Sequence, residues 1–257
     1  MQLRGDKFVM ARQYHIALSR GEVAPNILLC GDYSRAEKAS KLFDRIKLTR
    51  QNREFVTYTG TYKGLPVSVM ATGIGPANTE IALIELSQIA KDLTILRVGS
   101  CGGLQKYTAV GDLIISTAAL RLENTSLFFV PEGYPAVAHH QVIQALEETA
   151  DEMNHKYHTG LTATAPGFYG AQGRSVGGFP VLTPDIAKYF SKIGILNFEM
   201  ETSTLLTLAS LKNYRAGSIC AVFINRVKYS IINEALKKQA ELKCIKTALG
   251  ALKKLNK

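Results

Sequence analysis

A chain of 257 residues with 46% hydrophobic and 20% charged side chains is long enough to bury a sizeable core and too apolar to be disordered. The formal charge of +10 raises a nucleic-acid partner as a question, while four widely spaced cysteines with no CxxC argue against a zinc or disulfide framework. The opening Met1-Gln2-Leu3-Arg4-Gly5-Asp6-Lys7 has no long apolar run and no later stretch approaches bilayer-spanning length, so the expectation is a cytoplasmic protein with no membrane partner.

Asn26–Cys30 reads as a first buried strand, followed by a helical stretch around Arg35–Asp44. Glu54–Tyr62 and Pro66–Ala71 flank Lys63-Gly64 and predict a hairpin. Pro76–Lys91 reads as a helix carrying Ile81, Ile84, Leu86 and Ile89, and two short buried strands follow at Leu93–Val98 and Asp112–Thr117. Val137–Asn154 reads as helix, Tyr157–Ala165 as strand, Pro184–Ser191 as helix and Ile193–Phe198 as a short strand. Glu201 to Leu211 reads as a helix with Leu205, Leu208 and Leu211 along one side, and Arg215–Ile224 as the last strongly apolar strand.

The chain closes on a helix containing Lys237, Lys238, Lys243, Lys246, Lys253, Lys254 and Lys257. Leu242, Ile245, Leu249 and Leu252 repeat there at helical spacing, which predicts the lysines on a solvated face. The aromatic residues of a base-stacking surface are missing from this segment, so no nucleic-acid partner is expected. With no repeat, low-complexity tract or linker, residues 1–257 read as a single α/β domain, a mixed and partly parallel sheet flanked by helices. The early hairpin argues against a plain dinucleotide-binding fold.

Leu196-Asn197-Phe198-Glu199-Met200-Glu201-Thr202 places two carboxylates at a strand-to-helix junction, where α/β proteins open their ligand crevices. An ionised carboxylate only accepts hydrogen bonds, so it can hold the neighbouring hydroxyls of a ribose. The alternative is that Glu201 merely favours the helix N-terminus through its dipole. Glycines gather at Cys30-Gly31-Asp32, Thr72-Gly73-Ile74-Gly75-Pro76 and Gly99-Ser100-Cys101-Gly102-Gly103, and tight turns with anion-binding N–H groups are the expectation. Arg35, Arg53 and Arg97, with the Ser100 hydroxyl, have the chemistry to surround a phosphate, though each arginine fits a surface or salt-bridge role equally well. His139-His140 and His155-x-x-His158 lack companion ligands, so no metal site is expected. Cys101 reads as a small residue packing a Gly-rich turn rather than as a nucleophile.

Taken together these segments resemble the nucleoside phosphorylase family of the hexameric type, and within it the uridine phosphorylases most closely. Gly31-Asp32-Tyr33-Ser34-Arg35 matches the family's phosphate turn, with Tyr33 in place of the usual proline. Arg53-Glu54-Phe55, Thr72-Gly73-Ile74-Gly75 and Arg97-Val98-Gly99-Ser100-Cys101-Gly102 match further signatures, and Asn197-Phe198-Glu199-Met200-Glu201-Thr202 matches Asn-Tyr-Glu-Met-Glu. Cys101 stands where the uridine enzymes often have threonine, Ala165-Pro166-Gly167 replaces a more polar run, and Gly170 replaces a proline after Tyr169. The match runs from about Tyr14 to the C-terminal helix.

The resemblance implies phosphate binding by Gly31, Arg35, Arg97 and Ser100, with Arg53 reaching in from a neighbouring subunit. It implies ribose binding by Met200 and Glu201, with His15 crossing the interface, and a base pocket of Phe168, Gln172 and Arg174. Glu199 becomes pocket wall rather than catalytic acid, and Arg97, Arg174 and Glu201 carry the catalytic work. Gln172 can donate and accept while Arg174 only donates, which suits the edge of uracil. Purine-specific members use an aspartate after the last long strand, where this chain has Ile224-Asn225-Arg226. The implied reaction is phosphorolysis of uridine to uracil and ribose 1-phosphate by a homo-hexamer built as a trimer of dimers. No redox cofactor is implied; phosphate is a co-substrate. Some relatives hold potassium at an interface through the glutamate at Glu54, but Asn78 replaces a serine of that site. The alternatives are a purine nucleoside phosphorylase of the same fold and a catalytically silent nucleoside-binding protein.

Overall fold

The computed structural model describes residues 12–256, so the opening segment read above and Lys257 lie outside the described residues. Strand β1 (Asn26–Cys30) is buried throughout and lies parallel to β4 (Leu65–Ala71) and β5 (Thr94–Gly103). Parallel strands covered on both faces carry unbroken apolar runs rather than alternating ones. Asp32 accepts the Ser34 N–H and so starts helix α1 (Tyr33–Ser40). The helix expected to reach Asp44 stops at Ser40 because an unforeseen strand, β2 (Arg45–Asn52), begins there. No residue of β2 is fully buried, so it carries no apolar run to betray it. It pairs with β3 (Phe55–Tyr62) at the edge of the sheet. The β3–β4 hairpin turns at Lys63 and Gly64, whose φ angles of 47° and 78° are the two positive values a tight hairpin turn requires.

The remaining elements are α2 (Pro76–Ile89), β6 (Leu113–Arg121), β7 (Ala136–Val137), α3 (His140–Glu152), β8 (Tyr157–Thr164), α4 (Ile186–Lys192), β9 (Asn197–Glu199), α5 (Thr202–Ser210), β10 (Arg215–Asn225), β11 (Ser230–Ile231) and α6 (Glu234–Lys254). The run Ile193–Phe198 is not one strand: Gly194 turns with φ 84°, and only Asn197–Glu199 joins the sheet. The strands form one sheet in the order β11-β10-β6-β8-β9-β5-β1-β4-β3-β2, with β7 on β6. A further pairing of β10 with β5 closes β5, β9, β8, β6 and β10 into a ring. Helices α1, α3 and α6 cover one core cluster, and α2 and α5 cover the other. This is the mixed, helix-flanked α/β fold expected. All four cysteines are free and buried.

The central strand carries a correction. Gly99–Gly103 is not a turn after β5 but its continuation, paired with β10 along its whole length. A Cβ on Gly99 would lie 2.7 Å from Cys220 Sγ and 2.8 Å from Arg97 Cζ, so glycine is required for close packing. At Gly102 and Gly103 the strand pairs with β9, whereas its earlier part pairs with β1. The two neighbours part from β5 there, and a crevice opens between them. On the other side of β5 the register slips between Val222 and Ile224, leaving Phe223 as a bulged residue.

Helix α6 also departs from expectation. Leu242 is 38% exposed, and the buried side is built from Ala240, Cys244, Ile245, Ala248, Leu249 and Leu252, with Glu241 among them. The lysines do not all sit on one solvated face, because Lys237 lines the crevice. Among the described residues no helix is long and apolar enough to cross a membrane.

Candidate active site

The crevice encloses about 550 Å³ and is lined by residues from distant parts of the chain: Gly31 after β1, Ser100 in β5, Phe168 and Gln172 in the loop after β8, and Met200 after β9. Arg35, Arg97, Arg174 and Glu201, also expected from the sequence, line it as well. Strand β5 orders them. Arg35 donates from Nη1 to the Val98 carbonyl at 3.4 Å, whereas a Cβ on Gly102 would meet Arg174 Nη2 at 3.6 Å. Four residues of extended strand, about 13 Å, therefore separate an Arg35 end from an Arg174 end.

Between those ends Arg97 stands on two buried carboxylates. Its Nε donates to Glu199 Oε2 at 2.8 Å and its Nη2 pairs with Glu201 Oε2. Burial opposes the Arg97 charge, but Glu201, and after it Glu199, hold its pKa above the ordinary arginine value. Glu199 has no capacity to spare. It accepts the Thr164 hydroxyl at 2.5 Å, the Glu201 N–H at 2.8 Å and the Thr202 N–H at 2.9 Å. Burial alone would raise its pKa, but Arg97 and these hydrogen bonds lower it. Glu199 is the side chain whose Oε2 serves the first N–H groups of α5. Glu201 makes no capping bond; its Oε1 accepts the Gly75 N–H at 2.7 Å across the crevice. Burial raises the Glu201 pKa, Glu199 adds to the rise and Arg97 opposes it.

At the Arg35 end, Arg35 pairs with the buried Glu241 at 3.1 Å, and Lys38 shares that carboxylate at 2.5 Å. Arg35 is therefore a cation held in place by α6 as well as a wall of the cavity. At the other end the Arg174 guanidinium lies 4.3 Å from the centre of the Phe168 ring. Its Nη2 reaches Gln172 Oε1 at a long 3.4 Å. Arg226, which the sequence reading quoted without a role, donates from Nη1 to the Gln172 carbonyl at 2.5 Å. Burial, and after it the neighbouring Arg174 charge, pull the Arg226 pKa down to about 10. Nothing local marks Arg226, since its partner lies 54 positions away.

His15 and Arg53 do not line this crevice. His15 is held by Glu85, with Nδ1 2.7 Å from Oε1, and Arg53 is exposed, donating to the Tyr14 hydroxyl at 3.2 Å and lying over that ring. The two stand together at one surface, on either side of Tyr14. Of the histidines considered as ligands, His155 is engaged with Thr247 and His158 with Asp112, whereas His139 Nδ1 is buried without a hydrogen-bond partner. Among the described residues no group of three or more His, Cys, Asp and Glu gathers as a metal centre. Glu54 and Asn78 approach each other only across Gly73, where an added Cβ would meet Asn78 Nδ2 at 2.5 Å and Glu54 Cγ at 3.3 Å. Asn225, in the Ile224-Asn225-Arg226 segment, is buried and spends its amide on the Gln105 and Thr108 carbonyls. Asp32, Glu199 and Glu201 line the cavity, and none of these carboxylates adjoins Arg174.

Residues 25–249 match the model of the phosphorylase superfamily. The chain is 46% identical over 232 residues to a uridine phosphorylase of Thermococcus kodakarensis, covering 86% of this chain and 83% of that protein. It is 34% identical over 251 residues to the uridine phosphorylase of Escherichia coli, covering 94% and 97% respectively. A guanosine phosphorylase of Halorubrum lacusprofundi is 32% identical over 218 residues, covering 85% and 86%.

Proposed function

The chain belongs to the phosphorylase superfamily, and on that premise we propose that it is a uridine phosphorylase, a pentosyltransferase that cleaves uridine with phosphate to uracil and ribose 1-phosphate. The observation that carries this reading is the end of the crevice holding Gln172 and Arg174, where no carboxylate among the described residues acts on Arg174. A purine leaving group wants a proton on its ring. A uracil leaving group is stabilised by donors aimed at its carbonyl edge, as its negative charge grows.

In this reading phosphate lies at the Arg35 end, against Gly31, Ser100 and Arg97, and attacks C1′ as the N-glycosidic bond breaks. The bonding pair leaves with the base, and the ribose passes through oxocarbenium character, as in other glycosyl transfers. Met200 and Glu201 hold the ribose, and positioning of the phosphate on the opposite face supplies much of the acceleration. Phosphorolysis needs no redox group, and no ion is assigned a part in it. The placement of the exposed Arg53 and the half-buried His15 outside the crevice supports a homo-hexamer, a trimer of dimers, in which a neighbour's Arg53 completes the phosphate site and its His15 the ribose site. We place the enzyme in the cytoplasm, as a pyrimidine-salvage activity.

Incubation with uridine, inosine or guanosine, with and without phosphate, tests the reading. Uracil release that requires phosphate is the expected result. Purine release in its place would favour the activity named for the Halorubrum relative, and no release from any of them would favour a silent binding protein.

The acid limb of activity is a second test. Glu201 must be ionised to accept both ribose hydroxyls, and burial raises its pKa. As pH falls, Glu201 therefore takes up its proton earlier than an ordinary glutamate, near 4.3, would. With phosphate saturating, kcat/KM for uridine should decline below a midpoint that lies above that value. A midpoint at or under the ordinary glutamate range would contradict the assignment.

A further inference from the structure

Within one subunit the cations around the Arg35 end of the crevice are largely engaged with carboxylates. Arg97 is compensated by two buried carboxylates, Glu199 and Glu201. Arg35 pairs with Glu241, which is 2% exposed and is shared with Lys38, and Arg35 Nε is buried without a hydrogen-bond partner. Arg174 lies at the far end, stacked on Phe168. One further cation lines the cavity among the described residues, and it is Lys237.

Three features place Lys237 beside Arg35. It lies one helical turn before Glu241 on α6, and residues four apart share a helix face. Its Nζ is 5.8 Å from the centre of the Phe223 ring, and Arg35 Cζ is 6.0 Å from the same centre. The two charges are thus no farther apart than those distances laid end to end. Phe223 reaches this position because it is the bulged residue of β10. The ion pair that holds Lys237 is weak: Glu234, three residues back, lies 3.4 Å away and its side chain is 79% exposed. A solvated pair of this kind is worth little and yields readily to a better anion.

We propose that Lys237 is a phosphate-recruiting residue at the rim of the cavity, which leaves Glu234 and adds its charge to those of Arg35 and a neighbour's Arg53 in drawing phosphate in. The assignment rests on the uridine phosphorylase reading for the identity of the anion. It also makes Phe223 a spacer that keeps two cations near each other while the site is empty of substrate.

Equilibrium binding of inorganic phosphate by calorimetry, on the wild type, Lys237→Met and Lys237→Arg, tests it alongside steady-state kinetics. Methionine keeps the length of the side chain and removes the charge. The Met variant should bind phosphate about fivefold more weakly, the effect of one partly solvated charge. It should raise KM for phosphate in proportion and leave KM for uridine unchanged, and Lys237→Arg should restore both. The phosphate affinity of the wild type should also fall more steeply with added salt than that of Lys237→Met. Unaltered phosphate affinity in Lys237→Met would overturn the proposal, as would an equal loss for uridine. If the wild type binds phosphate in a Lys237-dependent way but does not cleave uridine, Lys237 stands and the uridine reading falls.

Discussion

Replacing Arg97 with methionine should destabilise the protein by about 3–5 kcal/mol, the cost of stripping the partner from a buried charge. The structure makes this the most damaging single change in the site, because two carboxylates depend on one guanidinium. Without it, Glu199 and Glu201 stand next to each other, buried and uncompensated, and one of them must take up a proton. Glu199 already serves four donors, Arg97 among them, so the proton falls on Glu201, the carboxylate proposed to hold the ribose. Loss of nucleoside binding should therefore accompany the loss of phosphate use, instead of phosphate use alone suffering. Urea unfolding of Arg97→Met and of Arg97→Met/Glu199→Gln checks the claim. The double variant should recover part of the stability, because neutralising Glu199 removes one of the stranded charges. A single variant as stable as the wild type would show that the pairs contribute nothing.

Arg174→Ala should reduce uridine turnover by about 10²–10³-fold, the typical effect of removing one donor from a developing anion. It should do so with the fold intact. Arg174 has no ion pair to leave stranded, its Nε has no hydrogen-bond partner, and its guanidinium rests on the half-exposed Phe168 ring. Burial already lowers its pKa, which marks a charge held at some cost and ready to gain from an anionic partner. The measurement is kcat for uridine together with a thermal melt. Unchanged turnover in a folded variant would remove Arg174 from the base pocket. A collapsed melt would instead mean that Arg226 and Gln172 depend on it for packing.

The two predictions rest on information of different visibility. Gln172 and Arg174 stand two apart in one short loop, and their joint place at one end of the crevice was implied by the family resemblance. The two glutamates were legible as a junction of strand and helix, whereas the reading of Glu199 as wall came with the family resemblance. What Arg97 does to both was not legible. Its partners lie about a hundred positions downstream, and no local pattern records that a strand-end arginine meets them. The Gly99–Gly103 run misled for a related reason. Glycines signal turns when seen alone, whereas here they permit β5 to press against β10 and the Arg97 side chain to fold beneath it.

By itself the sequence determined the α/β class, most of the strands and helices, and the residue types gathered at strand ends, because hydrophobic periodicity and capping act over a few residues. It also carried the family signatures, since those are short contiguous runs. Only the tertiary structure decided that β5 branches to open the crevice, that the edge strand β2 exists, and that one lysine of a basic helix faces inward. Each depends on pairing between segments far apart in the chain. The net charge of a neighbourhood, such as Arg35 and Lys38 against Glu241 with Lys237 beside them, comes into being only when those segments meet.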